Sequence, residues 1–207
     1  MLAKPIFTLS LFVLVCVVNR GIHAETFNGP TVLSEQSFEE LIIIGPADLK
    51  NIRAESLTVT GPLKFHRIEV SGKTTVTGPM SGLEGNFENV IVNGPFRAKK
   101  LKIRTLDVTG PAALARFTFL GDAKINGPLE AKHGHFQNLK AGSEEGGKSI
   151  SFYDVTAKNM TVRRGKKEEI ITLAGRTEIT GEITFESEKG RIETIGNNVK
   201  VKESVQN

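Results

Sequence analysis

The stretch TVTGPLKFHRIEVSGKTTVTGPM, residues 58–80, begins on T-V-T-G-P and repeats it just before Met80, with the glycines of the two copies, Gly61 and Gly78, seventeen residues apart. Gly-Pro recurs at Gly29, Gly45, Gly61, Gly78, Gly94, Gly110 and Gly127, at intervals of 16, 16, 17, 16, 16 and 17 residues. A fixed period is the mark of a solenoid. Its shortness and the absence of a helical pattern make this one a β-solenoid.

Each unit can be numbered from its glycine. Third positions hold Leu63, Met80 and Phe96, fifth positions Leu49, Phe65 and Leu114, and tenth positions Val70, Phe87, Ile103 and Phe119. A last apolar pair closes each unit, as in Leu57/Val59 and Leu106/Val108. Apolar residues thus fall two apart, then three apart. A step of two is one face of a strand, and a step of three is a corner. The pattern predicts an all-β, single-stranded, three-sided β-helix with about 16–17 residues per coil. Glycine accepts positive φ at a corner, and proline donates no backbone hydrogen bond, so Gly-Pro suits a vertex and would damage a strand interior. The 17-residue units carry their extra residue near Gly72 and Gly121, at the corner after the second strand, where strand register is spared. Small residues offset large ones: Gly82 and Gly85 share a unit with Met80 and Phe87, and Gly134 lies beside Phe136.

The period breaks at AGSEEGGK, a loop expected over 142–149. Apolar spacing returns at Ile150, Phe152, Val155, Ala157, Met160 and Val162, and RRGKKEE (163–169) reads as an exposed turn. Alternation resumes over 170–186 with Gly175 and Gly181 as corners, so 150–195 reads as less regular coils and 196–207 as a polar tail. SEQSFEELI (34–42) fits the coil register and also a short helix with Ser37 and Glu40 as its capping box, which would cover the open end.

Residues 1–24 read as a signal peptide: Lys4, an apolar run over 6–18, and Ala24 at the cut. The mature domain, 25–207, would then lack cysteine, since Cys16 is the only one, which excludes disulfides and thiolate chemistry. No other run is long enough to span a membrane, so no integral span is expected after cleavage. Losing Lys4 and Arg20 takes the net charge from +4 to +2, which is no nucleic-acid signature. The expected location is the periplasm or the cell surface.

The phrases IRAESLTVTGPLK (52–64) and FENVIVNGPFRAKKLKIRTLDVTGP (87–111) resemble the A-x-x-L-x-V-x-G cadence of bactofilin-type β-helices. The resemblance covers 29–141 and extends over 150–186. It implies a small, triangular, right-handed β-helix of a kind that polymerises into bacterial scaffolds, and it is carried over here for the fold.

Three surface features are candidates for function. His133 and His135 are set two apart, so that both imidazoles would face outward toward one metal ion, though two solvated histidines account for the same pattern. Arg97, Lys99, Lys100, Lys102 and Arg104 fill one coil, with Arg116 stacked over Lys100, as candidates for phosphate or sulfate groups on an envelope polymer. Thr60, Thr77, Asn93, Thr109 and Asn126 form a column expected to hydrogen-bond up the stack. No nucleophile stands at a recognisable spacing from a base, and there is no phosphate loop or metalloprotease helix. The expectation is a non-enzymatic, exported structural or adhesive protein without a cofactor that associates with itself. The alternative is a binding module for an anionic glycan or lipid headgroup.

Overall fold

The computed structural model describes residues 24–206, with side chains through residue 202. Every regular element among them is a strand. The first coils hold β1 (Ala24–Asn28), β2 (Thr31–Ser34) and β3 (Ser37–Ile44). Seven long strands follow, each a full coil: β4 (Ala47–Thr60), β5 (Leu63–Thr77), β6 (Met80–Asn93), β7 (Phe96–Thr109), β8 (Ala112–Asn126), β9 (Leu129–Gly142) and β10 (Gly147–Val162). Shorter strands complete the stack: β11 (Glu169–Ala174), β12 (Glu178–Phe185), β13 (Gly190–Ile195) and β14 (Lys200–Gln206). All inter-strand pairings are parallel, coil upon coil, in a single sheet that winds on itself as a β-solenoid.

The apolar files predicted from the sequence are the core. Val70 pairs with Phe87, Phe87 with Ile103, Ile103 with Phe119, and Phe119 with Phe136, all buried. Phe119 and Phe136 stack with ring centroids 5.1 Å apart and planes 6° from parallel, and Phe136 stacks on Phe152 at 5.8 Å.

From the second Gly-Pro vertex onward the glycine is required twice over. Gly61 has φ +141°, and a Cβ there would lie 2.5 Å from the carbonyl oxygen of Gly45 in the coil before. Hydrogen bonding passes around the proline: Gly61 N donates to Thr77 O and Leu63 N to Pro79 O, at 2.9 and 2.8 Å. Proline sits between these two donors, so its missing N–H interrupts neither bond.

The second vertex is built differently. Glu35, Asn51, Arg67, Glu84, Lys100, Arg116, His133 and Asp154 all have φ between +52° and +62°. A single left-handed residue turns the chain between the first and second faces, and none of these eight is glycine. Their spacing in sequence is visible as the step of three, but their residue types do not announce the conformation. At the third vertex register shifts mark bulges, and the extra residues near Gly72 and Gly121 are absorbed there as expected.

Several local expectations are corrected. The helical cap over 34–42 is instead β3, because Phe38, Leu41 and Ile43 point into the core and β1 and β4 pair with it on both sides. The exposed turn at 163–169 ends one residue early: Glu169 opens β11 and is 1% exposed. Within 196–207, expected as a polar tail, Lys200–Gln206 forms β14 on β12. The signal peptide expected over 1–24 falls almost wholly outside the described residues; the last residue of that range, Ala24, begins β1.

Candidate functional site

The outward side chains stand in files, one residue per coil, and several of their charges pair along a file. At the left-handed vertex Glu84 accepts from Lys100 Nζ at 2.7 Å and from Arg67 Nε at 3.2 Å. The Lys100 hydrogen bond first, and Arg67 after it, hold the Glu84 carboxyl below its ordinary range. Further pairs are Arg53–Glu69, Arg104–Glu88, Lys124–Asp107 and Lys140–Glu186.

The six cations singled out from the sequence do not form one patch. Lys102 and Arg104 lie past the left-handed vertex, alternating with the inward Leu101 and Ile103, and Arg104 is engaged by Glu88. Lys100 is engaged by Glu84. Asp107, the one acid in that coil, is bound to Lys124. What remains on the first face is Arg97 and Lys99, with Arg116 at its vertex, all exposed and with no acidic partner among the described residues. Sequence spacing alone could not separate the two groups, because it placed the corner at Lys100 without saying which acids of the coil below would reach across.

Ala113 and Ala115 hold the two outward positions of the next coil, where other coils carry longer side chains. They floor a hollow of ≈ 670 Å³ bordered by Arg97 and Lys99 of the coil before, by Glu130 and Lys132 of the coil after and by Arg116 at the vertex, and it reaches Gly82 and Leu83 beyond Arg97. A second hollow of ≈ 310 Å³ shares Arg97, Ala113 and Glu130 and runs on past Pro111 and Pro128. Lys132 Nζ is 2.6 Å from Glu130 Oε1. The two hollows together cross the first face along the strand direction, from the left-handed vertex to the Gly-Pro vertex.

His133 and His135 are parted by the turn. His133, with φ +53°, places Nδ1 3.3 Å from Asp154 Oδ2, and its ring meets Tyr153 edge-on at 5.7 Å. His135 lies on the second face, with Nδ1 2.9 Å from Thr156 Oγ1. Among the described residues no three His, Cys, Asp or Glu side chains converge on a common point. The hydrogen-bonded ladder also runs elsewhere than expected. No side-chain bond joins Thr60, Thr77, Asn93, Thr109 and Asn126 to one another, and Asn126 instead accepts from Arg163. The bonded file lies nearer the third vertex: Thr105 donates to Asn89 at 2.6 Å, Asn138 to Asp122 at 2.9 Å and Asn159 to Asn138 at 3.0 Å.

A polar pair escaped the sequence reading because both members hide inside. Ser149 Oγ donates to Glu169 Oε2 at 2.6 Å, both residues are buried, and Glu169 Oε1 has no partner. Ser149 lies in β10 and Glu169 opens β11, near the position where the earlier coils carry their Gly-Pro vertex. Among the described residues no helix is long and apolar enough to cross a membrane. No protein-family model, curated protein or solved structure matches the chain.

Proposed function

We propose that this is an exported, non-enzymatic scaffold or adhesive protein of a cell envelope that associates with copies of itself through the strand edges at its ends. One observation carries the reading. Parallel coils stack in register to both ends of the described chain, where β2 at one end and β13 and β14 at the other each pair on one side only. An unpaired parallel edge is a template for another strand. Val32 on the first coil is 66% exposed and would be covered by such a neighbour. The charged files support the non-catalytic part, since Arg53–Glu69 and Arg67–Glu84–Lys100 stay engaged with one another even where they line a hollow of ≈ 760 Å³.

The test is light scattering of the mature chain over a range of concentration and salt. Growth in mass with concentration, little changed by salt, is expected. A monomer throughout would refute self-association. A second reading, a module for an anionic glycan or lipid headgroup, is favoured by Arg97, Lys99 and Arg116, neighbouring cations that have no acidic partner among the described residues and border one hollow; its binding would weaken as salt rises.

A further inference from the structure

We infer that the alanine-floored trough across the first face binds a linear acidic polysaccharide, laid along the strand direction with its carboxylates on Arg97, Lys99 and Arg116. This rests on the second reading above and gives it a ligand and a place. Some cations of the central coils pair with an acid one coil away, as in Arg67–Glu84–Lys100 and Lys124–Asp107, and others, such as Lys50 and Lys64, do not pair with any among the described residues. Arg97, Lys99 and Arg116 are set apart by standing together without an acidic partner beside the one coil whose outward positions on this face are Ala113 and Ala115. Unmatched charge and recessed floor therefore coincide.

Shape selects the ligand. The two walls belong to coils two strand spacings apart, so their backbones are separated by about 10 Å. That admits one extended chain. A flat bilayer surface would rest on the ridges of Arg97, Lys99 and Lys132 and leave the floor untouched. Continuity of the two hollows across the whole face suits a polymer better than a single small anion. Guanidinium groups pair with carboxylates through two parallel hydrogen bonds, and the alanine methyls offer an apolar floor to the C–H face of a sugar ring. Glu130 on the far wall is the opposing feature, and it is occupied by Lys132 at 2.6 Å.

The experiment titrates the mature chain with short oligogalacturonates at about 0.15 M NaCl, where exposed charges more than a Debye length apart are screened. Arg97→Gln, Lys99→Gln and Arg116→Asn, the last keeping a residue that tolerates the left-handed turn, are each expected to weaken binding about tenfold. Lys102→Gln removes equal charge from the second face and should leave affinity unchanged. Ala115→Glu should abolish binding, and Glu130→Gln, which frees Lys132, should strengthen it. Thermal melts of each variant show that the fold is retained. Equal weakening by Lys102→Gln, or full binding by Ala115→Glu, overturns the trough as the site. Retention on phosphatidylglycerol vesicles without oligogalacturonate binding overturns the polysaccharide while leaving an anionic-ligand module standing. Failure with every anion ends both, and light scattering of the same samples reports self-association independently.

Discussion

Phe117 and Gly134 share a single core site between two adjacent coils. A Cβ at residue 134 would lie 2.4 Å from the Phe117 ring, which packs 4.6 Å, centroid to centroid, from Phe136. Gly134→Ala should therefore overpack the core and cost about 1–3 kcal/mol. Phe117→Leu should destabilise by leaving space, and the double variant should lose less than the two single losses added together. Urea midpoints for the four proteins test the coupling; strict additivity would show that the two residues do not compete for that volume.

The Gly-Pro vertices should differ in tolerance according to their place in the stack. Gly61→Ala meets both the left-handed φ and the Gly45 carbonyl, whereas at Gly29, with φ +98°, a Cβ would meet nothing within 4 Å. Strain alone costs about 1–3 kcal/mol at either site. The backbone collision adds to it only at Gly61, so Gly61→Ala should lower the melting temperature markedly more than Gly29→Ala. Equal losses would refute the role assigned to the stacked carbonyl.

Thr74 stands in a file with Leu57 and Val90, fully buried, and its Oγ1 has no hydrogen-bond partner. An unsatisfied buried hydroxyl costs about 1–3 kcal/mol. Thr74→Val keeps the branched shape and removes that group, so it should raise the melting temperature. A lower melting temperature would mean that the hydroxyl is satisfied in solution.

Glu169 gives a dependence on pH whose sign is opposite to that of the surface carboxylates. Burial pushes its pKa above the ordinary 4.5, against a smaller opposing effect of the Ser149 hydrogen bond. The folded chain therefore holds this proton more tightly than the unfolded chain. Its contribution is fully present below the unfolded pKa and is lost as pH rises through the folded value. Glu186, held low chiefly by Lys140, behaves the other way and loses its contribution as pH falls. Glu169→Gln should stabilise the protein at neutral pH, with an advantage that shrinks toward pH 4.5. A melting-temperature difference that stays flat across that range would contradict the buried, protonation-sensitive carboxyl.

How much of this was readable beforehand follows from which forces are local. The files of Val70, Phe87, Ile103 and Phe119 were legible because burial on a strand repeats with period two, and each unit writes it again. The Gly-Pro vertex was legible because no other residue pair combines positive φ with a missing donor. The left-handed vertex was half legible: the step of three located it, but Arg116 and Lys100 adopt φ +55° and +57° only because coils above and below hold them there. Helical capping at Ser37 and Glu40 lost to pairing with β4, a non-local force. For the site, residue types were visible and their allegiance was not. Whether Arg104 faces a ligand or Glu88 depends on stacking one coil over another, which a linear reading cannot weigh. Ala113 and Ala115 drew no notice, because a floor is defined by what its neighbours have and it lacks.

The parallel register between successive coils also bears on how the molecule would respond to force. Each long strand is held only by the turn of chain before it and the turn after it. Tension applied between Ala24 and Lys202 would thus load one winding at a time, and the fibre would pay itself out like thread from a spool. Extension traces should rise and drop in a sawtooth, with each step releasing the contour length of roughly one winding.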